Sequence, residues 1–200
     1  MPFKDKIWYI WEYYKLHIIA FVIIVIIAGS VINNILNPPV PPYAGIAFYE
    51  VYTSEEQNGI LTQTLSDFLI DDPNEYEIYL HPLLSGGDPQ AEMAMMQKFM
   101  AMIMVNEIDL IIAEKEAFEA FAREAYFLDI NLTGISVPDA SLLKSATIED
   151  GDIRPYGISL DASGLFNQMG FMSPDTFYIG VTVNTDKREH VTAILNVLFR

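Results

Sequence analysis

From Ile18 to Ile32 the chain runs through fifteen consecutive uncharged residues, IIAFVIIVIIAGSVI, most of them β-branched or aromatic. Beyond the prolines at 38–42 the pattern changes to short apolar runs that alternate with amphipathic ones. Ala44 to Tyr52 (AGIAFYEVY) is rich in aromatic and β-branched residues and predicts a strand. Ser54, with Glu55 and Glu56 after it and Gln57 three positions on, resembles a capping box that opens a helix to about Ile70. Ile60, Leu61, Leu65, Phe68 and Leu69 give that helix its apolar face. Tyr76 to Leu84 predicts a second strand, ended by a turn at Ser85-Gly86-Gly87. Asp88 can cap a helix with Pro89 at its first position, running to about Val105. Glu107 to Ala113 (EIDLIIA) reads as a short buried strand, and Lys115 to Tyr126 as a helix with Phe118, Phe121 and Ala122 on one side. Strands follow at Gly157 to Leu160 and at Phe177 to Val183. A C-terminal helix from Asp186 to Phe199 buries Val191, Ile194, Leu195 and Leu198. The stretch from Asn131 to Arg154 has no readable period.

Strands alternating with crossover-length helices predict an α/β domain: a mostly parallel sheet covered on both faces, in three α/β/α layers. It occupies residues 44–200. An aromatic and basic segment at 1–12, an apolar helix at 13–36 and a Pro-rich spacer at 37–43 precede it.

The apolar run by itself spans about 22 Å as a helix, short of the ~30 Å hydrocarbon core. Extending it back to Tyr13 closes the gap, with Lys15 able to snorkel to the interface. Trp8, Tyr9, Trp11, Tyr13 and Tyr14 suit the headgroup zone. Lys4, Lys6 and Lys15 precede or border the run and the next basic residue is Lys98, so the positive-inside bias orients the N-terminus to the cytoplasm. The expectation is a single-pass cell-membrane anchor, Tyr13–Leu36, with residues 44–200 outside. Ala28-Gly29-Ser30 also has the small-residue spacing of a signal-peptidase site, which keeps a cleaved signal open as an alternative.

Charge sharpens this picture. The first 36 residues hold three lysines and two acidic residues, leaving 8 Lys/Arg against 25 Asp/Glu in the remainder. Such a surface repels polyanions, and no basic stripe offsets it, so nucleic acid is not an expected partner. The sequence has no cysteine, which excludes disulfides, thiol nucleophiles, Cys-based metal sites and a lipidated-cysteine anchor among these residues.

Candidate chemistry is sparse. His17, His81 and His190 are far apart and lack metal-ligand spacing, and no phosphate loop, nucleophile elbow or zincin motif is present. The expectation is therefore no catalytic residue, no metal and no cofactor. Glu149, Asp150 and Asp152 (EDGD) resemble part of a calcium loop but read better as a solvated turn. Six methionines crowd one helix. Met93, Met96, Met100 and Met104 fall on a single face, where thioethers suit Cu(I) but where helical spacing favours packing into a helix–sheet interface. Ligands of parallel sheets bind outside the carboxyl ends of the strands. Those ends bring Tyr52, Thr53, Ser54, Ser85 and Lys115 forward as candidate ligand-binding residues: hydroxyls and a cation beside an aromatic ring.

Several segments in order resemble the extracellular solute-binding proteins of ABC importers, with their type II periplasmic-binding-protein fold. Asp67-Phe68-Leu69 through Tyr76-Glu77-Ile78-Tyr79-Leu80 is similar to their first helix leading into the second strand. Met96 to Ala113, with Asn106-Glu107-Ile108-Asp109-Leu110-Ile111-Ile112, resembles their helix running into an Asp-hydrophobic strand. Phe118 to Ile130 (FEAFAREAYFLDI) is similar to the next helix and its following segment. Arg154-Pro155-Tyr156-Gly157-Ile158 resembles the Tyr-Gly element near their hinge, and Tyr178-Ile179-Gly180-Val181 with Asn184-Thr185 the returning strand. In that family a second lobe lies between the last two segments, whereas here they are separated by some twenty residues. The resemblance therefore implies one lobe of a two-lobed clamp. A non-catalytic ligand-sensing or protein-interaction module is the function it implies. The alternatives are an importer's receptor subunit and an assembly partner of another membrane protein.

Overall fold

The structure, a computed structural model, describes residues 3–36, 38, 40–134, 140–147, 153–170 and 176–200. The EDGD carboxylates Glu149, Asp150 and Asp152, and Asn37 and Pro39 of the spacer, lie outside the described residues. Two compact units are present, Met1–Val40 and Pro41–Arg200.

The first unit is the helix α1 (Phe3–Leu36). Its segment Tyr13–Leu36 has 24 residues with a mean hydropathy of 2.6, and none of its most apolar stretch is buried. At the helical rise that is about 36 Å, enough to cross a hydrocarbon core. Length and composition suit a membrane anchor and a signal sequence equally.

The second unit is an α/β domain around a six-stranded sheet. In chain order its elements are β1 (Pro42–Tyr49), α2 (Glu55–Leu69), β2 (Glu77–Leu83), α3 (Pro89–Met104), β3 (Leu110–Glu114), α4 (Lys115–Arg123), β4 (Leu143–Thr147), β5 (Ile153–Ser159), α5 (Gly164–Gln168), β6 (Phe177–Val181) and α6 (Arg188–Leu198). The strands lie in the order β2-β1-β3-β6-β5-β4. β1 runs parallel to β2 and β3, but β6 is antiparallel to β3 and to β5, and β5 to β4. The sheet is thus mixed, which corrects the expectation of a mostly parallel one. Between β5 and β6 the described residues form only a 3-10 turn and the five-residue α5, and β6 returns antiparallel to β5. The strand β4 fills the part of the sequence with no readable period. It is a short edge strand (LKSAT) whose pattern is broken by a register shift at Lys144/Ser145.

Helices cover both faces, so β1 and β3 are apolar throughout rather than alternating. On one face Ala44, Ile46 and Phe48 pack with Leu110, Ile112, Ile158, Ile179 and Val181 against α2, α5 and α6. On the other, Ala47, Tyr49, Ile111, Ala113 and Tyr156 meet α3 and α4. Phe99, Phe121 and Tyr49 make edge-to-face and tilted contacts there, with centroids 4.8 to 5.5 Å apart. Gly157 and Gly180 face each other across β5 and β6, and a Cβ on either would collide with the stacked rings of Phe118 and Phe127.

The structure also corrects the placement of the methionine stripe. The residues that α3 buries are Met95, Phe99, Met102 and Ile103. Met93, Met96, Met100 and Met104 are 66%, 37%, 38% and 78% exposed. Both faces of this helix are apolar, and the face with a Phe and an Ile is the one that fills the interface.

Candidate functional site

The parallel strands have two ends, and the polar residues gathered at each are held in different ways.

At the carboxyl ends, the order β2-β1-β3 brings the segments after Tyr49, Leu83 and Glu114 to one edge of the sheet. Glu50 leaves β1 in the left-handed region (φ 53°). Its N–H donates to the Leu83 carbonyl at 2.8 Å, and its carboxylate accepts the Ser85 N–H at 2.9 Å. Glu50, absent from the residues singled out in the sequence, therefore ties the first two loops together. Val51 turns inward and is buried, which throws Tyr52 outward, 78% exposed. Ser54 closes the expected capping box: its hydroxyl accepts the Gln57 N–H at 3.2 Å, and the Gln57 side chain accepts the Ser54 N–H at 2.9 Å. The Gln57 amide also donates to the Met169 carbonyl at 3.0 Å, which fixes the start of α2 to the segment after α5. Ser85 Oγ accepts the Gly87 N–H at 3.3 Å within its turn. Lys115 begins α4 and is exposed.

The five expected residues thus share one edge, with different freedom to act. Ser54 and Ser85 use their hydroxyls locally, while Tyr52 and Lys115 project into solvent. Thr53 Oγ1 and, four residues into α2, Asn58 Oδ1 are buried without a hydrogen-bond partner. Groups of that kind are rare in native structures and are satisfied by water or a ligand. Asn58 also lines a groove of 600 Å³ along the free edge of β2, together with Thr62, Gln63, Tyr79, Leu80 and Pro82. Glu50's link and the orphaned oxygens carry no sequence signal, because both depend on tertiary contacts.

At the opposite end, Asp109 is fully buried just before β3. Its carboxylate accepts the Gly45 N–H at 2.9 Å, the Thr185 hydroxyl at 2.6 Å and the Lys187 ammonium at 3.2 Å. Thr182 Oγ1 adds a bond to the Ile108 carbonyl at 2.9 Å. The cluster joins β1, β3, the end of β6 and the start of α6. A Cβ at residue 45 would fall on the Glu107 carbonyl oxygen, so only glycine lets these backbones approach. This is a structural clasp with its hydrogen bonds satisfied rather than an open site.

His81 lies near it, partly buried, with Nε2 lacking a hydrogen-bond partner and 3.9 Å from the Glu107 carboxylate. Burial and Lys98 lower its pKa, and Glu107 and Asp109, which pull the other way, do not offset the burial. His190 is stacked on Tyr43 at 3.9 Å and its Nδ1 lies 2.8 Å from the Tyr43 carbonyl oxygen. His17 belongs to α1, where its ring meets Tyr14. Among the described residues no three His, Asp or Glu side chains gather as a metal-binding group.

Comparison of the chain with protein-family models, curated proteins and solved structures finds no match in any of the three.

Proposed function

We propose that the chain is a membrane-anchored recognition module, non-catalytic, whose exported domain presents the carboxyl edge of its sheet to a protein partner. In this reading Tyr13–Leu36 is the anchor, the N-terminus is cytoplasmic, and the domain is similar to one lobe of a solute-binding protein. One observation carries it: the path from β5 to β6. β5 runs parallel to β3, so Ser159 leaves and Phe177 enters the sheet at the same edge as Tyr52, Ser85 and Lys115. In the resembling family the second lobe departs between those two strands. Here only seventeen residues, 160–176, separate the two strands in sequence. Two of the four candidate polar side chains spend their hydroxyls on their own loops, whereas Tyr52 stands free. An exposed aromatic and an exposed lysine at one sheet edge suit a protein contact better than enclosure of a small solute.

The test uses the full chain in its native membrane, with a photo-crosslinking amino acid at position 52 or 115 and, as control, at exposed Asn196. A single membrane-protein adduct from 52 and 115, absent from 196, is the expected result. An equal adduct pattern at all three positions, or none, overturns the docking reading. Thermal shifts of the purified chain with free amino acids, sugars or oligopeptides, lost in a Tyr52→Ala/Lys115→Ala variant, would instead support the receptor alternative. Reporter fusions at the two termini test the orientation independently.

A further inference from the structure

The exposed stripe of α3 is made of one residue type. An outward face that served only to be apolar could use leucine, isoleucine or valine, and α3 places its Phe and Ile on the buried side instead. Met93, Met96 and Met100 are spaced i, i+3, i+7. On an α-helix they lie within about 60° of one another and about 10 Å along the axis. Met96 sits between the other two, and neighbours three or four apart approach to about 5–6 Å at Cβ. Long unbranched side chains on such a triangle can bring three sulfurs to one point.

One of these sulfurs is already held. α4 ends in a turn in which Ala125 is left-handed (φ 58°) and the Tyr126 N–H reaches back to the Phe121 carbonyl at 3.1 Å. That turn aims the Tyr126 ring at α3, where its hydroxyl donates to Met100 Sδ at 3.1 Å. A tyrosine phenol is protonated at neutral pH and so acts as the donor in this contact. A thioether has two lone pairs, and the hydrogen bond leaves the second free. The electrostatics also permit a cation. Lys98, the one basic residue of α3, lies toward His81 and away from the stripe, while Glu92 precedes Met93.

We propose that Met93, Met96 and Met100 form a site for a soft monovalent metal ion, Cu(I), with Tyr126 as the positioning residue for Met100. Thioethers select Cu(I) over the harder divalent ions, and three of them match its low coordination number. Met104 extends the stripe and is the replacement ligand if Met93 turns away. The proposal is independent of the recognition role.

The test titrates the full chain in detergent micelles, labelled with methyl-¹³C methionine, with Ag(I) and then with Cu(I) under anaerobic reducing conditions. The methyl signals of Met93, Met96 and Met100 shift and saturate at one equivalent, while buried Met95 and Met102 stay in place. A Met96→Leu/Met100→Leu variant keeps the apolar surface and the melting temperature but binds at least tenfold more weakly, roughly the minimum expected when even an outer-shell partner is lost. Tyr126→Phe binds more weakly than wild type by a smaller factor. Stripe signals that do not move with Ag(I), or a double variant that titrates like wild type, overturn the proposal. So does a response that spreads equally to Met95 and Met102.

Discussion

The two ends of the parallel strands are built from similar residue types and are held in opposite ways. At the amino end, Asp109 has three donors from two segments distant in sequence, β1 and the turn before α6, and Lys187 balances its charge. At the carboxyl end, the Ser54 and Ser85 hydroxyls bond within their own loops, Tyr52 is exposed, and two buried oxygens have no hydrogen-bond partner. A polar cluster whose members satisfy one another is part of the framework. One that leaves groups unspent is available for a partner.

The contrast can be broken at its strong end first. Asp109→Ala leaves the Lys187 ammonium and the Gly45 N–H without their acceptor and is expected to cost roughly 3–5 kcal/mol in urea unfolding. Asp109→Asn, whose amide oxygen still accepts, costs less. A loss below about 1 kcal/mol for Asp109→Ala would put the clasp in the same class as a surface pair. Gly45→Ala forces the Glu107 carbonyl aside and is expected to destabilise by about 1–3 kcal/mol by the same measurement.

His81 tests the neighbourhood of the clasp by pH. Its folded pKa lies below the ordinary value, so the unfolded chain binds the proton more tightly. The contribution to stability is therefore present above about pH 6.5 and is lost as pH falls through that value toward the folded pKa. Unfolding at pH 7.5 and 5.5 should show a loss on the acid side that His81→Gln reduces. A variant with the same acid slope as wild type contradicts this. The weak end gives the smallest effects. Ser54→Ala removes one member of the capping box and costs about 1 kcal/mol. Ser85→Ala, an exposed turn residue, changes stability by less than about 0.5 kcal/mol.

The legible parts of the fold were those set by neighbours in sequence. The Ser54–Gln57 capping box and the Asp88 cap with Pro89 behind it formed where the residue types require, because each satisfies backbone donors within four residues. Helix ends were less legible. Asn106 and Ala125 adopt left-handed conformations and stop α3 and α4, and alanine carries no signal for that. The strand β4 carries no clear sequence signal because LKSAT is short, polar at three of its five positions and paired with β5 alone. The candidate site was legible as a location, since the strand ends follow from the element order. The separation of spent hydroxyls from free side chains was not, because it depends on contacts between loops.

The sequence by itself determined an apolar N-terminal helix, an acidic α/β domain, and strands β1 and β3 apolar enough to require cover on both faces. Those features follow from composition and period, which act over a few residues. Tertiary structure decided that β6 runs antiparallel, that Asp109 is enclosed by Gly45, Thr185 and Lys187, and that α3 turns its methionine stripe outward. Periodicity states which residues share a face; the volume to be filled against the sheet chooses which face is buried.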